Sequence, residues 1–250
     1  MAAEPGSDYA VISDVHSNLE ALEAVLADIR LKMGSPEILF LGDAVGYGPN
    51  PNECVGKINE VARRAVAGNH DWAVLELTDI TYFNLNARIA IEWTASVITP
   101  ESRLIMEKWK LVNRVAENSL LLVHGSPSEP ERWHYIITLK QAEENFRHFS
   151  EQICLIGHSH LPFIIEQLPD GGLALKKRRA AISASRFIIN GGSVGQPRDG
   201  DPRASWLRLS GGKAEIMRVP YNFRRTQQKM RAAGERNLPP PLIERLEKGL

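Results

Sequence analysis

The sequence predicts an α/β protein in which two stacked β-sheets are flanked by helices. Two features of the pattern support this fold class. The first third of the chain alternates short apolar runs with helical periodicity, which is typical of parallel strands joined by right-handed crossovers. The second half instead contains short strands separated by turn sequences such as PDGG and SGG, as in hairpins. Two sheets with helices outside accommodate both halves better than a single doubly wound sheet.

The first third contains three predicted strands and two predicted helices. In chain order they are a strand at Tyr9–Ser13, a helix at Asn18–Leu31, a strand at Ile38–Leu41, a helix at Asn52–Val61 and a strand at Ala65–Ala67. The first helix is predicted because apolar residues recur every three or four positions, at Leu19, Leu22, Leu26 and Ile29. Asn52 is the predicted N-cap of the second helix.

The pattern predicts helices across residues 71–114, of which Leu85–Ile98 is the clearest, and Pro100 begins another. Such an insertion could form a lid over a site. Trp93 within it is better explained by packing against a neighbouring helix.

Further short strands complete the predicted sheets. They are Leu120–Val123, Ile153–Ile156, Pro162–Leu168, Leu173–Lys177, Phe187–Ile189, Ser205–Leu209 and Lys213–Arg218. In the tail, residues 221–250, the pattern predicts a helix at Phe223–Ala233, a break at three consecutive prolines and a continuation to Leu250. The apolar content of this tail is low, so it either packs across the domain or is partly mobile.

Length and composition limit the classes of protein that fit. A chain of 250 residues predicts a single domain with one sizeable core. Because 30 basic residues balance 30 acidic ones, no charge excess indicates nucleic acid or an anionic membrane as a partner. The N-terminus resembles no signal peptide, and no apolar run is long enough to span a bilayer. Cys54 and Cys154 lie in apolar surroundings and predict buried reduced thiols. We therefore expect a soluble cytoplasmic protein; its oligomeric state stays open.

Seven polar residues follow the apolar runs, where buried strands are predicted to end. They are Asp14, His16, Asp43, Asn69, His124, His158 and His160. Taken singly, each is also explained by a helix cap, a turn or a surface position. Taken together, they deliver oxygen and imidazole donors to the carboxyl ends of strands, where open α/β sheets bind ligands. The pattern predicts a site for two metal ions that catalyses hydrolysis, with Asp43 able to bridge the ions through its two oxygens.

His70 and Asp71 follow Asn69 directly and are candidates for a catalytic role. A histidine at this position can act on a substrate, and Asp71 can orient it by hydrogen bonding. A turn made easy by Gly68 is the alternative explanation of this segment.

The ordered motifs DVH, GD, GNHD, HG and GHSH resemble those of the calcineurin-like metallophosphoesterase superfamily, over roughly Tyr9–Pro162. The stretches GDAVGYGPNPNECV and NGGSVGQPRDGDPRASW further resemble a bacterial and archaeal subgroup of phosphoesterases. The resemblance implies a four-layer αββα sandwich of two mixed sheets. It also implies a first metal held by Asp14, His16, Asp43 and His160 and a second held by Asp43, Asn69, His124 and His158. His70 would be the catalytic histidine and Asp71 its partner.

One departure from the superfamily concerns phosphate binding. Protein serine/threonine phosphatases carry GDxVDRG, whereas this chain has GDAVGYG, with Gly46 and Tyr47 in place of Asp and Arg. Arg198 is the best candidate for a substitute cation, because a guanidinium group can hold a phosphate with two hydrogen bonds. The alternative is a surface arginine paired with Asp199 or Asp201.

Three weaker substrate-binding candidates lie near these motifs. Tyr47 and Asn50 follow the predicted bridging Asp43 and could touch substrate, although GYGPNP could equally be a structural turn. Backbone N–H groups of residues 190–192 could also reach a phosphate.

These observations predict a phosphoesterase that uses two divalent ions to activate water. Donor atoms without thiolate suit Mn²⁺, Fe or Zn²⁺. We expect a small soluble substrate such as a nucleotide or dinucleoside polyphosphate. A protein phosphatase is one alternative, and a non-catalytic scaffold with the same fold is another.

Overall fold

A computed structural model describes residues 8–115 and 119–250, which form twelve strands and eight α-helices. Residues 1–7, for which no signal peptide is predicted, lie outside the described residues. The strands are β1 (Tyr9–Ile12), β2 (Glu37–Phe40), β3 (Ala62–Ala65), β4 (Val112–Val115), β5 (Leu120–Val123), β6 (Ile153–Ile156), β7 (Phe163–Gln167), β8 (Leu173–Lys176), β9 (Arg179–Ala181), β10 (Arg186–Asn190), β11 (Ala204–Ser210) and β12 (Lys213–Val219). The helices are α1 (Leu19–Met33), α2 (Pro51–Val61), α3 (Asn69–Val74), α4 (Leu85–Val97), α5 (Pro100–Met106), α6 (Leu139–Asn145), α7 (Phe223–Ala233) and α8 (Pro240–Lys248).

The strands form two six-stranded mixed sheets, which confirms the predicted fold class. The first sheet has the order β3-β2-β1-β11-β12-β9, and the second has the order β4-β5-β6-β10-β7-β8. Strands β1, β2 and β3 pair in parallel through helical crossovers, and β5, β6 and β10 are also parallel. The later hairpin strands add antiparallel edges, as the turn sequences indicated.

Three apolar clusters, one between the two sheets and one on the outer face of each sheet, explain why the central strands are apolar along their whole length. Successive side chains of a strand point to opposite faces. Val11 and Leu207 of the first sheet meet Leu155 and Phe187 of the second, so the two sheets stack on each other. The other face of the first sheet packs on α1 and α2, and the other face of the second sheet packs on α6. The central strands are therefore buried on both faces, and no polar alternation appears in their sequence.

The predictions missed or shifted strands at the sheet edges. β3 lies at Ala62–Ala65 rather than Ala65–Ala67, and its Arg63 and Arg64 are exposed. β4 and β9 were not predicted, and both are edge strands that contain arginine. Edge strands often carry charged side chains because one side faces solvent, so an apolar run does not reveal them.

The N-cap of α2 was also placed wrongly. The helix begins at Pro51, with Asn50 as its N-cap residue, because proline is favoured in the first helical turn. The Asn52 side chain instead bonds to Val97 O and Thr99 N of a neighbouring helix end.

The tail packs across the domain rather than remaining free. Met230, Leu242, Ile243 and Leu246 are buried in one cluster that also contains Tyr47. Both cysteines are buried and unpaired, as predicted. No helix within the described ranges combines the length and hydropathy needed to cross a bilayer.

The tail cluster predicts a large loss of stability for Leu242→Ala. Leu242 is 1% exposed, so its removal leaves a cavity that costs about 2–5 kcal/mol of unfolding free energy. Leu31→Ala is the matched control, since Leu31 also lies in a helix but is 83% exposed; its effect should stay within about 0.5 kcal/mol. Guanidinium unfolding measures both variants, and equal stabilities would contradict the packing of the tail.

Candidate metal and phosphate site

All seven predicted metal ligands lie together where strands of the two sheets end. Asp14 and His16 follow β1, Asp43 follows β2, and Asn69 begins α3 after β3. His124 follows β5 of the second sheet, and His158 and His160 follow β6. Each of the seven is at most 8% exposed. The site therefore lies at the junction of the two sheets, and each sheet contributes donors to it.

Six of the seven residues fall into two separate groups of potential metal ligands, and a third group, His16, Asp43 and His70, overlaps both. The first group is Asp14, His16 and His160; the second is Asp43, His124 and His158. Within each group the donor atoms lie within 4.8 Å of one another. Asp43 Oδ2 lies 3.6 Å from His16 Nε2 and 3.2 Å from His124 Nε2, so this carboxylate stands between the groups. Asn69 Oδ1 lies 3.2 Å from His124 Nε2 and adds a neutral oxygen to the second group.

Backbone carbonyls fix the orientation of the His16 and His160 imidazole rings. His16 Nδ1 donates to Val45 O at 3.0 Å, and His160 Nδ1 donates to Gln196 O at 2.5 Å. Because a carbonyl only accepts, the Nε2 atoms of these neutral rings carry lone pairs. The two Nε2 atoms face each other at 3.1 Å, an arrangement that a cation between them stabilises. This donor set fits divalent metal ions.

Burial and the nearby Asp43 carboxylate shift the pKa values of these histidines in opposite directions. Burial lowers the pKa of His16 and His160 well below the usual range and lowers that of His158 to about 3. At His124, burial also acts downward, but the nearby Asp43 carboxylate outweighs it and raises the pKa to about 9. The negative potential around Asp43 thus favours positive charge at this point.

The loops that carry the ligands have unusual backbone conformations. Five of the seven predicted ligands have a positive φ, between 48° and 63°: Asp14, His16, Asp43, His158 and His160. Non-glycine residues adopt this region rarely and at an energetic cost, and such residues cluster at functional sites. Nothing in the sequence indicates these conformations.

His70 lies beside the predicted bridging carboxylate and faces a cavity. It is the second residue of α3, and its backbone N–H donates to Asp43 Oδ1 at 2.9 Å. Its ring packs against Tyr47 and Phe83, with centroids 4.5 and 5.2 Å away. Burial lowers the pKa of His70 to about 4. Its Nδ1 is buried and has no hydrogen-bond partner among the described residues.

Asp71 does not orient His70, and that part of the prediction is wrong. Its carboxylate accepts hydrogen bonds from the backbone N–H groups of Gly68, Asp43 and Ala44, at 2.8 to 2.9 Å. The position of Asp71 in α3 explains this pairing. It is the third residue of the helix, where a carboxylate can accept a hydrogen bond from the backbone N–H of the N-cap residue, here Gly68. Asp71 therefore holds the loop that carries Asp43.

A cavity of about 690 Å³ opens beside these residues. Of the predicted substrate-binding residues, Arg198 and Tyr47 line it, whereas Asn50 does not. The Asn50 side chain is engaged by Glu53 and Lys229 instead.

Hydrogen bonds and ion pairs bear on two other predictions about phosphate binding. Arg198 forms no ion pair with the two acids nearest in sequence; Asp199 pairs with Arg218, and Asp201 pairs with Arg203. The backbone N–H of Gly192 already donates to the Asn190 side chain, so it is not free for a phosphate.

Two parts of the cavity wall were missed from the sequence. One is residues 131–135, where Tyr135 stacks on His158 at a centroid distance of 4.1 Å. The other is Arg245 on α8. Within the predicted helical insertion, residues between Thr78 and Asn84, before α4, line the cavity. Trp93 of the same insertion packs against the tail cluster.

Comparisons with known proteins agree with the fold and the site. A family model described as the calcineurin-like phosphoesterase superfamily domain matches residues 8–210. Over 245 residues the chain is 39% identical to Uncharacterized protein MJ0912 of Methanocaldococcus jannaschii, covering 96% of this chain and 97% of that protein. Among solved structures it is similar to a metallophosphoesterase from Sphaerobacter thermophilus, with a TM-score of 0.85, 38% identity and coverage of 98% and 100%. Hypothetical protein PH1004 from Pyrococcus horikoshii OT3 shares the fold at a TM-score of 0.75, with 18% identity and coverage of 98% and 99%.

The close packing around Asp14 predicts that Gly157→Ala weakens metal binding. A Cβ at this position would lie 2.0 Å from Ser13 Oγ and 2.7 Å from Asp14 Oδ2, so the carboxylate must move. We expect the affinity for Mn²⁺ to fall at least about tenfold by calorimetry, as for other changes that displace a metal ligand.

Gly56→Ala is the matched control for this substitution. Gly56 lies inside α2, and a Cβ there meets no heavy atom within 4 Å. The control should keep its metal affinity and gain about 0.5–1 kcal/mol of stability. Unchanged Mn²⁺ binding by Gly157→Ala would contradict the assignment of Asp14 as a ligand.

Proposed function

This chain belongs to the calcineurin-like phosphoesterase superfamily, and on that basis we propose that it is a hydrolase that uses two metal ions to cleave a small phosphorylated substrate. The reaction is the attack of water on a phosphodiester, phosphoanhydride or phosphomonoester. One observation carries the proposal: Asp43 stands between two groups of buried donors, with imidazoles of both groups within 3.6 Å of its Oδ2.

The donors divide between two ions. The first ion would be held by Asp14, His16, Asp43 and His160; the second would be held by Asp43, Asn69, His124 and His158. When bound, the ions supply activation of the attacking water and neutralisation of the negative charge that develops on the phosphate. Oxygen and imidazole donors without thiolate suit Mn²⁺, Fe or Zn²⁺. We expect Mn²⁺ to support activity.

The surrounding residues position these donors and handle protons. Asp71 fixes the loop of Asp43 through its backbone hydrogen bonds. His70 faces the cavity next to Asp43, where the N–H of its ring can donate a hydrogen bond to the leaving oxygen or to a phosphate oxygen. Arg198 lines the same cavity and can bind a phosphate oxygen in place of the arginine that protein serine/threonine phosphatases carry after the bridging aspartate.

The shape of the cavity favours a small substrate with an aromatic or apolar group. Its volume of about 690 Å³ suits a nucleotide, and Tyr82, Phe83, Trp133 and Tyr135 form part of its wall. We therefore favour a nucleotide or dinucleoside polyphosphate. The formal net charge of zero gives no support to long nucleic acids as substrates. The two free thiols suit a reducing compartment, and we place the activity in the cytoplasm.

An assay of the Mn²⁺-loaded protein tests the function. We expect release of p-nitrophenol from p-nitrophenyl phosphate or bis-p-nitrophenyl phosphate, followed by a screen of phosphorylated metabolites that reads out free phosphate. No turnover by protein that holds its metal would favour the scaffold alternative. Faster release from phosphopeptides than from nucleotides would favour a protein phosphatase.

His70→Ala should lower kcat at least about 100-fold, since positioned acid–base groups contribute factors of this size. Mn²⁺ binding should persist, because the side chain is not among the proposed ligands. His148→Ala is the matched control: this histidine is exposed and does not line the cavity, and its removal should leave kcat unchanged.

Asp43→Asn should have a different effect from His70→Ala. It should weaken Mn²⁺ binding itself at least about tenfold. A near-normal rate for His70→Ala on the best substrate would show that His70 is not catalytic. Metal loss by that variant would instead make it a ligand.

A further inference from the structure

Two arginines from distant parts of the chain meet at one wall of the cavity. Arg198 lies in the loop before β11, Arg245 lies on α8, and both line the cavity. Arg198 Nη2 donates to Gln196 Oε1 at 3.0 Å, and Arg245 Nη1 donates to the same oxygen at 3.3 Å. The two guanidinium groups are therefore held side by side by one neutral acceptor.

Neither guanidinium group forms an ion pair with any residue in the ranges 8–115 and 119–250. The acids nearest in sequence to Arg198 are taken, since Asp199 pairs with Arg218 and Asp201 pairs with Arg203. The Nε atoms of Arg198 and Arg245 are buried and have no hydrogen-bond partner among these residues. Two adjacent positive groups with free N–H donors repel each other, and a bound anion would offset the repulsion and accept those hydrogen bonds.

The arginine pair is connected to the proposed metal site through one residue. Gln196 is 2% exposed, and its backbone oxygen accepts the Nδ1 proton of His160, a proposed ligand of the first ion. Its side-chain oxygen holds the two arginines. A phosphoryl group that reacts at the metals would therefore place a neighbouring charged group close to the arginines.

The helix that carries Arg245 is anchored on both sides of this residue. Leu242 and Leu246 are buried in the tail cluster, and Ile243 O accepts a hydrogen bond from Gln227 Nε2 at 2.8 Å. Beyond the helix, Gly249 O accepts from Gly200 N at 2.9 Å, in the same loop region as Arg198. The position of Arg245 is thus preorganised, which reduces the entropic cost of binding an anion there.

We propose that Arg245 adds a second anion subsite beside Arg198: Arg198 binds an oxygen of the reacting phosphate, and the adjacent Arg245 binds the non-reacting phosphate of a substrate with two adjacent anionic groups. The substrate class is then a phosphoanhydride, such as a nucleoside diphosphate or a longer polyphosphate chain. This inference rests on the proposed phosphoesterase function and narrows its substrates, because a simple monoester would leave Arg245 without an anionic partner.

Calorimetry on the full-length, Mn²⁺-loaded protein tests the subsite with two probes that cannot be hydrolysed. Methylenediphosphonate carries two anionic groups, and methylphosphonate carries one. Arg245→Gln should weaken methylenediphosphonate binding at least about tenfold, while methylphosphonate binding changes less than about threefold. Arg245→Lys should give an intermediate loss, because lysine keeps the charge without the forked donor geometry.

Arg224→Gln is the matched control, since Arg224 is exposed on α7 and its removal should change neither affinity. Equal effects of Arg245→Gln on both probes, or no effect on either, would overturn the subsite and leave Arg245 an anchor of the tail. If Arg245→Gln melts well below the wild type, Arg245→Lys replaces it in the test, and the ratio of its methylenediphosphonate and methylphosphonate affinities is compared with that of the wild type. Turnover of p-nitrophenyl phosphate, bis-p-nitrophenyl phosphate and a nucleoside diphosphate by the Mn²⁺-loaded wild type is measured separately. Turnover of none of them would contradict the phosphoesterase function, whereas the ratio of the two phosphonate affinities tests the subsite alone.

Discussion

Two buried carboxylates and four imidazole rings converge at the junction of the two sheets. The surrounding fold must hold these polar donor groups close together in a buried position. The Nε2 atoms of His16 and His160 face each other at 3.1 Å, with Asp14 and Asp43 close by. Groups of this kind are costly to bury together without a positive charge between them. The arrangement is therefore best understood as a preformed site for cations.

Apolar cores on both faces of the sheets stabilise the fold and so offset the free-energy cost of burying these polar groups. Strands β1 and β2 of one sheet and β5 and β6 of the other deliver their loops to the same end of the sandwich. The left-handed backbone of the ligand residues is tolerated because these strands are buried on both faces. Asp71 adds a local support, since it ties the loop of Asp43 to the start of α3.

The sequence revealed the central strands and the metal-ligand candidates for the same reason. Runs such as LLLV before His124 are long, apolar and abruptly ended, so both the strand and the residue at its end are visible. The edge strands β3, β4 and β9 were hidden because charged residues interrupt them. The carboxylate of Asp71 was assigned to the wrong partner, because its direction depends on a helix start that the sequence did not indicate.

Arg245 could not be found from sequence, because its role depends on tertiary contact. It lies 49 residues from Gln196, on a tail whose packing the sequence left open. The part of the cavity wall formed by residues 131–135 likewise depends on tertiary contact, since Tyr135 stacks on the ring of His158. Under the proposed function, residues of this kind would select the substrate and the strand ends would supply the metal ligands, so the sequence predicts the reaction class better than the substrate.

The most direct test of the shared aspartate is a titration of chelator-treated protein with Mn²⁺, followed by calorimetry and electron paramagnetic resonance. We predict two ions per chain and a spectrum that shows magnetic coupling between them, because Asp43 lies between the two sites. Binding of a single ion, or of two ions without coupling, would contradict a centre bridged by this carboxylate.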